Sequence, residues 1–300
     1  MNLVQLEYFS HVAERVSVSA AARAAHVTQP AISKQLRLLE EELGCVLFIR
    51  SRNRLALTEE GYQLQRLARD ILDQVNEVHT AFNTRLNRVC GRISVGCSAS
   101  TARRLLPGVL KKMLSDYPEV KVSVEEMDWR EAYRKLVEHE IDVAIGLEMT
   151  GEGAVVFEPL QESRLVFICA PSFKFVEKKK ISPRDLAGVP FVAFPDDNLL
   201  RQKFKSAYPL GEQEAVVKSR YTETVMAYVR AGIGVGVVPE YLIAWTPENR
   251  GKLAVRELDK TIPIRFGYNT NRNHVFSLAL RMFLERLKAS VSRRRVSGLP

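Results

Sequence analysis

One stretch constrains the fold of this chain more than any other: Ser17 to Thr58, SVSAAARAAHVTQPAISKQLRLLEEELGCVLFIRSRNRLALT. A short Ala-rich helix is followed by a break at His26-Val27-Thr28 and then by a longer helix. Thr28 stands at the N-cap position of that second helix. Pro30 falls in its first turn, where a missing N–H costs little. Apolar residues recur at Ile32, Leu36, Leu39 and Leu43, the spacing of one buried helix face. Gly44 supplies a left-handed stop. Two helices joined by so short a break form a helix-turn-helix, and the second is the candidate for entering a DNA groove.

The side chains fit that geometry. Ala20, Ala21, Ala22, Ala24 and Ala25 let the first helix sit close against the second. The outer face of the second carries Gln29, Ser33, Lys34 and Arg37, which suit base edges and phosphates. Beyond Gly44, Leu47–Arg50 and Arg54–Leu57 read as two strands of a wing tipped by Asn53. The wing brings Arg50, Arg52 and Arg54. The alternative is a plain helical hairpin with a solvated charged face. Residues 2–16 form a preceding helix with Leu3, Leu6, Phe9 and Val12 on one face, a scaffold behind the reader.

Several ordered segments carry a family resemblance. They are Leu6-Glu7-Tyr8-Phe9, Ser19-Ala20-Ala21-Ala22, Thr28 through Leu36, Leu39 through Gly44, Leu47 through Arg50, and Leu57 through Gly61. This run resembles the LysR-type transcriptional regulators densely from Leu6 to Gly61, and more weakly over the rest of the chain. The resemblance implies double-stranded DNA as a partner. Thr28, Gln29, Pro30, Ser33, Lys34, Arg37, Arg50, Arg52 and Arg54 would be its contacts. It also implies a homodimer or homotetramer, a small-molecule effector, RNA polymerase as a further partner, and no cofactor.

Charge agrees. The net charge is +9, which favours an anionic partner. Its distribution is more telling than its sum. No acid lies between Glu14 and Glu40, where Arg15, Arg23, Lys34 and Arg37 do, and none between Glu42 and Glu59, where the wing arginines do. The reading face is therefore basic. No apolar run approaches the ~18 residues of a membrane span, and no export signal opens the chain; the expectation is a cytoplasmic protein without membrane contact. Cys45, Cys90, Cys97 and Cys169 are scattered and form no CxxC pair, so neither a disulfide framework nor a zinc site is expected.

From Thr58 a long helix is predicted, with Glu59 and Glu60 at its positive end. Leu64, Ala68, Ile71, Val75, Val78 and Phe82 alternate in steps of four and three, a heptad seam suited to dimerisation. Asn87 to Gly91 reads as a hinge. Beyond it, strands and helices alternate, which predicts an α/β region with a largely parallel sheet. The expected class is α+β multidomain: a winged helix-turn-helix (1–58), a linker helix and hinge (59–90), and a two-lobed regulatory domain (91–300). The first lobe takes 91–160 and 264–300 and the second 161–263, the periplasmic-binding-protein-like arrangement that the resemblance implies.

In open α/β units ligands bind beyond the carboxyl ends of strands. The candidates there are Ser98, Ser100 and Thr101, Trp129, Phe194 and Pro195 with Arg201, and Thr222. Their hydroxyls point to an organic anion; Asp196 and Asp197 weaken that reading, since they could hold a ligand ammonium or close the cleft against Arg201, and simple helix capping is the other reading of the hydroxyls. Gly232, Gly234 and Gly236 follow a helix rather than a strand, so they are not a dinucleotide fingerprint. Two other functions compete: a solute-binding protein using residues 92–300 alone, and an enzyme. The first is opposed by the attached helix-turn-helix. The second lacks a nucleophile elbow, a P-loop or a catalytic His/Cys/carboxylate cluster.

Overall fold

In the computed structural model, residues 1–51, 54–82, 89–149, 153–208, 215–246 and 251–294 are described. Helix α1 (Leu3–Arg15) starts at Asn2, whose side chain forms a capping box with Gln5. Helix α2 (Val18–Ala24) is capped by Ser17, which accepts from the Ala20 amide. Helix α3 (Gln29–Leu43) follows, with Pro30 in its first turn and Gly44 closing it at φ 68°. Thr28 holds the N-cap position, but its side chain makes no capping bond. Phe9, Ala21, Ile32 and Leu39 are fully buried and join the three helices into one core. Strands β1 (Phe48–Ser51) and β2 (Arg54–Leu57) pair antiparallel with Ser51 opposite Arg54. Arg52 and Asn53 lie outside the described residues.

Helix α4 (Glu59–Phe82) is 24 residues long, about 36 Å at 1.5 Å per residue. The Thr58 hydroxyl accepts from the Gly61 amide at 2.9 Å and donates to the Val46 carbonyl at 2.7 Å. A Cβ on Gly61 would collide with the Leu47 carbonyl oxygen. The Leu-Thr-Glu-Glu-Gly run thus caps a helix and lets the wing cross its first turn at close range. The predicted hinge lies largely outside the described residues; Val89, Cys90 and Gly91 are the part that is seen.

The regulatory region is built from β3 (Gly91–Cys97), α5 (Ala99–Arg104), α6 (Leu106–Asp116), β4 (Val120–Glu126), α7 (Trp129–Val137), β5 (Val143–Leu147) and β6 (Val155–Cys169). Then come β7 (Lys180–Ile181), β8 (Val192–Ala193), α8 (Leu199–Ala207), β9 (Val217–Lys218), α9 (Thr222–Arg230) and β10 (Gly236–Pro239). Helix α10 (Glu240–Ala244), β11 (Ala254–Leu258), β12 (Pro263–Asn271) and α11 (Leu278–Arg294) complete the chain. Helices α5 and α6 are separated by a break at Leu105, ahead of Pro107.

The main sheet runs β4-β3-β5-β12-β6-β11-β7, with β10 also on β6. It is mixed rather than largely parallel. Strands β3, β4 and β5 are parallel, joined by helical crossovers. Strands β6 and β12 are antiparallel to each other, and β12 is antiparallel to β5. Strand β6 is the junction of the two lobes. Its residues up to Arg164 pair with β12, and from Leu165 on it pairs with β10 and β11. Pro159 interrupts the first half of this strand. The structure accommodates Pro159 opposite Gly267 at a register shift, as expected for proline at a bulge. A Cβ on Gly267 would meet the Glu158 carbonyl.

Candidate functional site

On α3, Gln29, Pro30, Ser33, Lys34 and Arg37 are all exposed, opposite the buried Ile32, Leu36 and Leu39. The Ser19 hydroxyl donates to Gln29 Oε1 at 2.9 Å. This anchors the carbonyl end of the amide and leaves its NH2 to donate. Arg37 pairs with Glu41 at 3.5 Å, but its side chain is 72% exposed, so the pair is weak and easily exchanged for a phosphate. Arg50 and Arg54 lie on the paired strands of the wing, and Arg52 lies outside the described residues. The Glu40 carboxylate accepts from the Leu47 and Phe48 amides at 2.8 and 3.4 Å, tying the wing to the reading helix.

The seam on α4 divides. Leu64 (8% exposed) and Ala68 (0%) are inside the helix-turn-helix core of their own chain. They are not free for a second copy, contrary to expectation, because α1 folds back along the first turns of α4 and covers them. Ile71 and Val75 are half-buried, Val78 is exposed, and the Phe82 side chain lies outside the described residues. Leu67, which the heptad pattern omitted, is also exposed.

The same helix is tied to the regulatory region. Arg69 donates to both oxygens of Asp142 at 3.0 and 3.1 Å, to Ser94 Oγ at 3.2 Å, and to the His139 and Glu140 carbonyls at 3.3 and 3.0 Å. The Ser94 amide donates to the Asp142 carboxylate at 2.6 Å. No sequence pattern flagged these residues, since they meet only through the fold.

Between the lobes lies a cleft of about 320 Å³. It sits beyond the carboxyl ends of β3, β4 and β5 on one wall and at the N-terminal ends of α8 and α9 on the other. Of the expected residues, Ser98, Trp129, Phe194 and Thr222 line it. Ser100 and Thr101 do not: they are 5% and 1% exposed, on the buried side of α5, and the Thr101 hydroxyl is 3.1 Å from that of Ser98. Pro195 is also off the lining, and Arg201 lies over the Phe191 ring at 5.7 Å, where burial lowers its pKa. Asp196 faces Lys205 at 2.6 Å and Lys218 at 2.8 Å, which hold its carboxyl well below the usual range. That loop belongs to the second lobe's own surface.

Asp197, together with charged residues that the sequence left unmarked, closes the cleft. Arg220 reaches Asp197 at 3.0 Å and, across the gap, Asp128 at 3.3 Å. Glu223 takes Arg103 and Arg104, each at 3.1 Å, from the opposite lobe. Arg130 stands 3.6 Å from Asp197. At the floor, burial first and the charge of Glu126 second push the Cys97 thiol up to about 12; burial also raises Cys169. Among the described residues no His/Cys/Asp/Glu group could hold a metal, and no helix is long and apolar enough to cross a membrane.

Comparison with known proteins matches both parts. Residues 3–62 fit the bacterial regulatory helix-turn-helix protein, lysR family, and residues 87–292 fit the LysR substrate binding domain. The chain is 29% identical over 276 residues to the transcriptional activator IlvY of Salmonella typhimurium, covering 89% of this chain and 92% of that one. In structure it resembles a full-length OxyR of Pseudomonas aeruginosa that carries a cysteine-to-aspartate substitution. The TM-score is 0.77 at 22% identity, over 100% of this chain and 99% of that one. It also resembles full-length CbnR in complex with its target DNA, with a TM-score of 0.58 at 23% identity over 97% and 100%. With both of its parts matched in order along the chain, this protein belongs to the LysR family of helix-turn-helix transcriptional regulators, carrying a DNA-binding head and an effector-binding domain.

Proposed function

We propose that the chain acts in the cytoplasm as a homodimer or homotetramer that reads promoter DNA with Gln29 and Ser33. Lys34, Arg37 and the wing arginines hold the phosphates. A small molecule in the interlobe cleft would change the geometry of the dimer, the bend of the DNA and the approach of RNA polymerase. The observation that supports this most is the cleft itself: it opens at the carboxyl ends of parallel strands, and ion pairs from opposite lobes span it. A solute-binding role alone would leave the exposed basic face of α3 without purpose.

The test is a fluorescence-anisotropy titration with the DNA upstream of the protein's own gene, with a scrambled duplex as control. The operator is expected to bind about 10³-fold more tightly or better, the lower end of the range for specific recognition. Equal affinity for both duplexes would refute the reading.

Dimerisation through α4 would use the part of the seam left open, Ile71, Val75 and Val78, together with Leu67. Val78 is 57% exposed, so Val78→Asp should leave the monomer's fold intact and put a charge into the partner contact. Sedimentation at low micromolar concentration should then show monomer; an unchanged dimer would remove this face from the interface.

The sensing step would not be thiol chemistry at Cys97, because so high a pKa leaves almost no thiolate near neutrality. With a thiol-specific disulfide reagent, the exposed Cys90 should react in the native state. Cys97 and Cys169 should react only on unfolding. Rapid native modification of Cys97 would overturn this.

A further inference from the structure

The two walls of the cleft differ in chemistry. On the first-lobe wall stand three carboxylates, Glu126, Asp128 and Glu131. Asp128 is already committed: Oδ1 accepts from the Arg130 and Glu131 amides at 3.0 and 3.1 Å, and Oδ2 faces Arg220. Glu131 has Lys135 at 4.0 Å. Glu126 has no ion pair and no hydrogen bond among the described residues. It ends β4, opposite Cys97 in the register, and its charge is felt at the Cys97 thiol on the cleft floor. Arg220 is the one lining cation among the described residues, and two aspartates share it. The uncompensated charge of the cleft is therefore negative, which opposes an anion and favours a cation.

The second-lobe wall offers donors instead. Tyr241 lines the cleft, is 7% exposed, and its hydroxyl has no hydrogen-bond partner among the described residues. A tyrosine this buried ordinarily has one, and burial pushes its ionisation upward, so it stays a donor. Thr222 is 9% exposed and its hydroxyl is likewise unpaired among the described residues; it begins α9, whose N-cap, Tyr221, makes no side-chain capping bond. Trp129, Phe194 and Leu242 fill the space between with apolar surface. The volume is at the small end of ligand pockets, which run from about 300 to 1,000 Å³.

We propose that the effector is a small ammonium compound, its cationic nitrogen against Glu126, an oxygen acceptor toward Tyr241 and Thr222, and an apolar body beside Trp129 and Phe194. This rests on the reading of the cleft as the effector site. It replaces the organic anion that the hydroxyl-rich loops alone had pointed to. An ammonium donates to the rim carboxylate, while the ligand oxygen accepts from the two hydroxyls, so each wall meets its complement.

The experiment uses the full chain and a matched pair of probes, phenylalaninol (cation) and 3-phenyllactate (anion), titrated calorimetrically and by thermal shift. Wild type is expected to bind phenylalaninol at least tenfold more tightly than 3-phenyllactate. Glu126→Gln, an exposed isosteric change that keeps the fold, should weaken phenylalaninol at least tenfold, and Tyr241→Phe at least threefold. The control is Gly146→Phe, at a lining position where a Cβ meets nothing within 4 Å; it fills the cleft and should abolish binding. If Gly146→Phe binds phenylalaninol as wild type does, the cleft is not the site and the underlying reading fails. If Gly146→Phe blocks binding but 3-phenyllactate binds as well as phenylalaninol, or Glu126→Gln changes nothing, the cleft stands and the ammonium assignment falls. Absence of any phenylalaninol binding to wild type also overturns it.

Discussion

Arg69→Ala is expected to destabilise the native chain by about 3 kcal/mol and to flatten the effector response in a reporter strain. The Asp142 side chain is 7% exposed. Removing its partner leaves a buried carboxylate with the Ser94 amide and, at 3.7 Å, His274. Breaking such a pair from one side costs ~3–5 kcal/mol. The lower end applies because Arg69 itself is 29% exposed and the amide bond survives. Arg69→Lys should recover less than half, since one ammonium cannot span a carboxylate and two carbonyls as a planar guanidinium does. Urea unfolding gives the stability. A ligand titration alongside the reporter assay gives the coupling: binding in the cleft should persist while the output is lost, because Arg69 joins α4 to the regulatory domain and does not line the cleft. A full reporter response in Arg69→Ala would show that the signal reaches the reading heads by another route.

On DNA, Gln29 and Arg52 should separate cleanly. Gln29 sits at the N-terminal end of α3, the end that enters the major groove in helix-turn-helix proteins. Ser19 holds its carbonyl, so the amide is already oriented when it meets a base. Gln29→Ala should cost ~1–3 kcal/mol on the operator and relax preference at one or two base pairs. Ser19→Ala should give a smaller loss of the same kind. Arg52 falls in sequence between the two wing strands, and such a ribbon meets backbone or minor groove. Arg52→Ala should weaken operator and random DNA by similar factors and reduce the salt slope by roughly one unit. Paired titrations across a salt series decide it. If Gln29→Ala lowers both affinities equally while Arg52→Ala affects only the operator, the roles are reversed.

The reading head was legible residue by residue, since its signals are local. The cap position, a proline in the first turn, the four-three spacing of Ile32, Leu36 and Leu39, and Gly44 each act within one turn of chain. In the regulatory region, helices α7 and α8 start at caps of the same local kind, Asp128 and Asn198. Strand β11, the short β7 and the first half of β6 have no such local mark. They are short or broken by Pro159, and pairing with distant strands rather than local pattern holds the strands in place.

The site divides along the same line. Strand ends identified Ser98, Trp129, Phe194 and Thr222, because the carboxyl ends of parallel strands converge wherever helical crossovers follow them. Ser100 and Thr101, within the next helical turn, point into the protein, which depends on how α5 rolls against its neighbours. Likewise the heptad on α4 specified an apolar stripe but not its owner. Helix α1 takes Leu64 and Ala68 for the chain's own core, leaving Leu67 and Val78 outside. By itself the sequence determined the helix-turn-helix, the basic face of α3, the long helix and the alternating α/β region, all set by spacing and charge within a few turns. Tertiary structure alone decided which lobe supplies each half of the ion pairs across the cleft, which carboxylate was left unpaired there, and that Arg69 meets Asp142. The Arg69–Asp142, Arg220–Asp128 and Arg104–Glu223 contacts join residues 73, 92 and 119 positions apart, and only closure of the whole chain brings them together.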